Sequence, residues 1–108
     1  MTEARLVLST CADRASAETL ARTLVEERLA ACVNLVPGVH SIYRWQGRVE
    51  AADEILLVIK TTLARVDALT RRITALHSYD VPEVIVVEPQ GAAAPYLAWL
   101  AAGVADDG

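Results

Sequence analysis

Residues 26–61 read EERLAACVNLVPGVHSIYRWQGRVEAADEILLVIKT. The stretch opens at the end of an amphipathic helical pattern and runs into two long extended arms joined by Gln46-Gly47. A two-residue connection with glycine second predicts a tight hairpin turn, because glycine supplies the positive φ that such turns need. With Gln46-Gly47 as the whole loop, Trp45 faces Arg48, Tyr43 faces Glu50 and His40 faces Asp53, near enough for cross-strand side chains to interact. A bulge at Ala51-Ala52 would move the last pair by one. Pro37-Gly38 interrupts the first arm, and a proline without an N–H predicts a bend, a bulge or a sheet edge there. The second arm ends in the continuous apolar run ILLVI, residues 55–59, the pattern of a strand buried on both faces. So long and apolar a hairpin is not expected to stand alone in water, and it predicts a protein that completes its core by associating with copies of itself.

Upstream, residues 4–10 (ARLVLST) read as a buried strand. Asp13 offers an N-cap, after which Ala17, Leu20, Ala21, Leu24, Val25, Leu29 and Cys32 recur at helical spacing on one broad arc. Arg28 falls inside that arc. Two readings fit it: a long side chain laying its stem on the core with its head in water, or a partner for a carboxylate at a subunit interface. Downstream, Thr62 is placed to cap a second helix with a stripe of Leu63, Val66, Leu69, Ile73 and Leu76, and Arg65, Arg71 and Arg72 elsewhere on its surface. His77-Ser78-Tyr79-Asp80 ends it, and Val81-Pro82 leads into a strand over residues 83–88. Pro95 suits the first turn of a short helix carrying YLAWL, and the small, acidic tail, residues 103–108, is expected to fray. The order strand, helix, strand, strand, helix, strand, helix is that of an α+β ferredoxin-like split βαβ sandwich, with helices on one face of an antiparallel sheet. The other face needs cover, which a homotrimer supplies if three sheets pack together and long hairpins pair with neighbouring edges.

The chain has 108 residues, the size of one domain, with no linker, repeat or low-complexity tract. Hydrophobic residues make up 54 % and charged residues 22 %, which places it among globular rather than disordered chains. The net charge is −4, and no cluster of lysine or arginine marks a nucleic-acid partner. No apolar run is long enough for a membrane span, and the first ten residues lack the pattern of a signal peptide. Two cysteines without CxxC spacing are expected in a reducing cytoplasm, although a Cys11–Cys32 bridge is open on sequence alone.

The segments LVEERLAACVN, SIYRWQGRVE, ILLVIKTT, HSYDVPEVIVV and YLAWL, with the Pro37-Gly38 break between the first two, cover nearly the whole chain. In that order they resemble the CutA divalent-ion-tolerance family. The resemblance implies a ferredoxin-like trimer related in architecture to PII-type signalling proteins, and a link to copper and other divalent cations. Two positions depart from the family pattern. The proline and acidic residue of its HPYE segment are Ser78 and Asp80 here, and the cysteine some members carry on the first strand falls at Ser9, with Cys11 two positions later.

Copper favours imidazole and, as Cu(I), thiolate. The metal-ligand candidates are therefore His77, Cys11 and Cys32, with His40 and nearby carboxylates behind them. None shows ligand spacing such as CxxC or HxxxH. His77 at a helix end has a structural alternative as a cap, and Cys32 has one as a small core residue. A second candidate is a small-molecule cleft or interface built from Arg28, Tyr43, Trp45, Glu50, Lys60, Tyr79, Glu83, Tyr96 and Trp99, a set of aromatic bodies with a few polar groups. The same aromatics suit subunit packing, where tyrosine and tryptophan are enriched. Catalysis has the least support: there is no GxSxG and no phosphate-cradling glycine loop. The expectation is a non-enzymatic homotrimer that binds copper or another divalent ion weakly or at subunit interfaces. The alternative is a PII-like trimer that binds a small metabolite between subunits.

Overall fold

A computed structural model describes residues 3–105. Its elements are β1 (Ala4–Cys11), α1 (Arg14–Glu26), β2 (Cys32–Trp45), β3 (Arg48–Thr62), a 3-10 turn (Leu63–Arg65), α2 (Val66–Leu76), β4 (Ile85–Val87) and α3 (Ala94–Gly103). Among the described residues the strands form one antiparallel sheet in the order β2-β3-β1-β4. This is the ferredoxin-like arrangement with an added terminal helix.

Side chains alternate between faces along each strand. Val7 and Cys11 of β1 and Leu57 and Ile59 of β3 face the helices, and pack with Leu20 and Leu24 of α1 and Leu69 and Ile73 of α2. Leu24, Leu57, Ile59, Leu69 and Ile73 are wholly buried, and each such side chain contributes roughly 1.5–3 kcal/mol relative to exposure. The run at 55–59 is not closed on both sides in one chain. Leu56 and Val58 turn to the opposite face and stay half-buried alongside Leu6 and Leu8, while Val36, opposite Leu56, is exposed.

Helix α1 begins where expected, with the Asp13 carboxylate accepting from the Ser16 N–H at 2.8 Å. Its end differs from the expected arc. Arg28 takes φ 60°, its N–H bonds the Val25 carbonyl at 3.1 Å, and the Leu29 N–H bonds the Leu24 carbonyl at 2.9 Å. This pair of bonds is a Schellman cap, with Arg28 in the left-handed position that glycine normally takes and Leu29 folded back on Leu24. The helix therefore stops at Glu26. Leu29 joins the core from the loop, and Cys32 heads β2 opposite Lys60, half-exposed rather than in the core. Arg28 is correspondingly exposed rather than laid on the core.

The hairpin has the expected register: Trp45 opposite Arg48, Tyr43 opposite Glu50, His40 opposite Asp53. Gln46 and Gly47 both have positive φ, 51° and 80°, the signature of a type I′ turn. The bulge lies at Pro37-Gly38, where the register shifts between Val36 and Val39 and Gly38 has φ 78°. Ala51-Ala52 pairs regularly.

Other differences are local. The 3-10 turn intervenes before α2, and Thr62 makes no side-chain cap. Only Leu69 and Ile73 of the predicted stripe are fully buried, while Leu63 and Leu76 are exposed. The last strand shortens to Ile85–Val87, which pair with Leu8, Val7 and Leu6 of β1. Pro95 does lie in the first turn of α3. Tail residues 103–105 do not all fray: Val104 is buried and its carbonyl accepts from Arg65 Nε at 2.8 Å. The rest of the predicted tail, residues 106–108, lies outside the described residues.

Candidate functional site

The segment His77–Asp80 leaves α2 and straddles the end of β1. Its first residue lies on the helix side of the sheet. The Tyr79 N–H donates to His77 Nδ1 at 3.0 Å. Since Nδ1 accepts, the ring proton belongs on Nε2, which donates to the Thr10 carbonyl at 2.7 Å. Both nitrogens of His77 are thus engaged, and the ring docks the end of α2 onto β1 rather than bonding the helix's own last carbonyls. Cys11 Sγ lies 3.8 Å from Nε2. Strand β1 continues through Cys11, so Ser9 and Cys11 share the helix-facing side and both are buried. Burial, followed by the negative charges of Asp13 and Glu54, pushes the Cys11 thiol up to about 11. It is protonated at neutral pH, whereas metal ligation needs the thiolate.

Tyr79 reaches round to the other side of the sheet. Its ring lies 4.6 Å from that of His77, and its hydroxyl donates to Glu54 Oε2 at 2.7 Å. Glu54, only 9 % exposed, stands on β3 opposite Val39. Burial pushes its carboxyl up, but hydrogen bonding from the Ser41, Tyr79 and Thr10 hydroxyls, with nearby His77, outweighs this and holds it below the usual carboxylate value. The Tyr79 hydroxyl is raised, by burial first and then by the Glu54 carboxylate it serves. Glu54 is therefore a charged group at the floor of a cleft, oriented by neutral hydroxyls. The cleft has a volume of about 780 Å³, within the range of small-molecule sites. Its walls include Tyr43, Trp45, Tyr79, Asp80 and Glu83.

The structure thus brings together Tyr43, Trp45, Tyr79 and Glu83 from the predicted cleft set. Glu50 faces Tyr43 across the hairpin without lining the cleft. Lys60 lies towards the other end of β3, donating to Asn34 Oδ1. Tyr96 and Trp99 stack on each other in α3 with ring centroids 5.4 Å apart. Arg28 sits at the end of α1. Of the metal candidates, Cys11 and His77 meet, and Cys32 is elsewhere, on the edge strand β2. His40 pairs with Asp53 at 2.8 Å on the exposed hairpin. Both thiols are free, and among the described residues no three His, Cys, Asp or Glu side chains converge as a metal cluster. The donors among the described residues of one chain therefore do not fit a resident metal ion.

Glu54 is absent from the sequence-predicted site. The signal for it is a charge at period-two spacing directly before the apolar pair Leu56 and Val58 on the same strand face.

The sequence profile of the "CutA1 divalent ion tolerance protein" family matches residues 5–103. The chain belongs to this family. The CutA1 relatives include a divalent-cation tolerance protein of Thermus thermophilus, 50 % identical over 95 residues that span 88 % of this chain and 92 % of that one. A protein CutA of Arabidopsis thaliana, named as chloroplastic, is 45 % identical over 88 % of this chain but only 52 % of its own length. The chain thus spans about half the length of that plant relative. The solved CutA of Xylella fastidiosa superposes with a TM-score of 0.94 at 45 % identity, covering 96 % of this chain and 100 % of that one. A CutA structure from Archaeoglobus fulgidus, 29 % identical, covers 94 % of this chain and 99 % of that one with a TM-score of 0.92, and is described as periplasmic. The family's description and the name of the Thermus thermophilus relative are those of a tolerance protein rather than an enzyme. In this chain no helix of the described residues is long and apolar enough to cross a membrane.

Proposed function

We propose that this protein is a non-catalytic homotrimer acting in divalent-cation tolerance in a reducing, cytoplasmic compartment. In this reading it takes up copper or another divalent ion weakly, at a boundary between subunits. The observation that carries the reading is the apolar surface one chain leaves open. Ile42 and Val49 of the hairpin are 69 % and 65 % exposed, and Ile85 of β4 is 52 % exposed on the sheet face away from the helices. Surfaces of this kind mark protein association, and a closed trimer would bury them. The divalent ion then meets donors from two chains, which accommodates the engaged state of His77 and Cys11 inside one.

The test joins sedimentation at low protein concentration with a calorimetric Cu(II) titration of wild type, His77→Ala and His77→Gln. A trimer with saturable, whole-number Cu(II) binding supports the reading. Binding lost in both variants makes His77 a ligand, and binding kept in both leaves it a docking residue. A monomer, or a trimer with no saturable binding, refutes it.

A second reading follows from the cleft around Glu54: a PII-like trimer that binds a small metabolite there and passes its state to a partner protein. A buried carboxylate held in place at the base of an aromatic-walled cleft is the feature that favours it.

A further inference from the structure

The cleft beside the hairpin combines the rings of Tyr43, Trp45 and Tyr79 with the carboxylates of Glu54, Asp80 and Glu83. Among the described residues, no lysine, arginine or histidine lines it. We propose that the cleft binds a small organic cation, a primary or quaternary ammonium compound, with its charged head against Glu54 and its aliphatic body against the rings. The proposal rests on the second reading above, that the cleft is a ligand site, and names the class of ligand.

Three observations support it. First, Glu54 is a built feature rather than a surface charge: it is nine-tenths buried, and the Tyr79 hydroxyl holds Oε2 at 2.7 Å. Hydroxyl donors orient the carboxylate and keep it ionised without cancelling its charge, and a charge so desolvated attracts an opposite one strongly. Second, the wall is aromatic. The faces of tyrosine and tryptophan attract cations through the ring quadrupole, most of all ammonium groups that shed water easily. Third, the other ligand classes fit less well. An anion would place its charge against three carboxylates with no basic partner. A bare divalent ion needs several converging donors, which the described residues do not bring together. At about 780 Å³ the volume lies in the range of small-molecule sites and suits an organic ligand better than a bare ion.

The experiment titrates the assembled protein with putrescine and with choline, as primary- and quaternary-ammonium probes. Succinate serves as the anionic control, and butane-1,4-diol as the neutral analogue of putrescine. Calorimetry reads affinity, and amide chemical shifts read location. The expected result is saturable binding of at least one ammonium probe, shifts centred on residues 41–45 and 78–83, and none from diol or succinate. Glu54→Gln should weaken binding by about tenfold or more, the size of one lost charge-assisted hydrogen bond, with the oligomeric state unchanged. Glu83→Gln, at the cleft wall, is the second variant should Glu54→Gln fail to fold, and should weaken binding in the same direction.

Preferential binding of succinate or the diol in the cleft leaves the ligand site standing and overturns the cationic class. No shift from any probe overturns both. Ammonium binding that neither variant weakens places the cation elsewhere and overturns the proposal. Dissociation of the assembly by Glu54→Gln, matched by Arg44→Gln or Arg48→Gln, makes a guanidinium of a second copy the occupant and also overturns it.

Discussion

Tyr79→Phe deletes one oxygen and tests the core of the cleft. The Tyr79 hydroxyl donates to Glu54 Oε2 at 2.7 Å, and the carboxylate it serves is only 9 % exposed. Water therefore reaches little of the carboxylate while the tyrosine covers it. A hydrogen bond to a charged group contributes about 1.5–3 kcal/mol, so Tyr79→Phe should lower unfolding stability by about 2 kcal/mol near neutral pH. The pH dependence carries a sign. The folded Glu54 carboxyl lies below its ordinary value of 4.5, so its contribution to stability is complete above that value and is lost as pH falls through the folded one. Removing the tyrosine donor moves the folded carboxyl upward and shrinks this contribution. The gap between wild type and variant should thus be widest near neutral pH and should close in acid. Tyr79 itself acts at the other limit. Its folded hydroxyl is raised above 10.0, so its contribution holds below that pH and declines as pH rises beyond it. Urea unfolding of both proteins near pH 7 and near pH 3.5, at one protein concentration and with unchanged m-value, reads the effect. A double-mutant cycle with Glu54→Gln isolates the pair. A loss under about 0.5 kcal/mol near neutral pH, or an equal gap at both pH values, would refute the reasoning.

Ser9 is wholly buried on the helix side of β1, and among the described residues its Oγ has no hydrogen-bond partner. An unsatisfied buried hydroxyl costs about 1–3 kcal/mol, so Ser9→Ala should raise the urea midpoint by an amount worth about 1 kcal/mol. A destabilised variant would show that the hydroxyl is satisfied by buried water. Cys11, 3 % exposed and with its thiol pushed up to about 11, should alkylate slowly at neutral pH and accelerate only as pH approaches that value. Rapid reaction of Cys11 at neutral pH, followed by mass spectrometry, would contradict its packing against His77. Gly47→Val places a β-branched residue at φ 80° and should cost about 1–2 kcal/mol, visible as a lower thermal midpoint. An unchanged midpoint would mean that the turn changes type.

Much of the fold was legible because local chemistry and periodicity agree. The Asp13 cap, the Gln46-Gly47 turn and the Pro37-Gly38 interruption each act within a few residues, and together they set the hairpin register and the order of elements. The site was legible only in part. Tyr43, Trp45, Tyr79 and Glu83 were visible as aromatic or acidic residues near the hairpin and the 77–83 segment. Glu54 was not singled out, because in the sequence it is simply the residue before the apolar run at 55–59. His77 was recognised at its helix end, yet both of its ring partners, the Thr10 carbonyl and the Tyr79 N–H, depend on where that end meets β1.

The sequence by itself determined the periodicities and the turns, because these depend on neighbours a few positions apart, and the membership of a family, because its segments run in order along nearly the whole chain. Only the tertiary structure decided which polar groups became partners. The end of β1 lies sixty-odd residues from His77, and no spacing rule reports a bond over that separation. The same holds for α1: its apolar pattern continues past Glu26, but the helix stops there because Arg28 adopts a left-handed conformation that lets Leu29 fold onto the core. Burial across the whole chain, rather than any local preference, made Glu54 a desolvated charge at the base of a cleft.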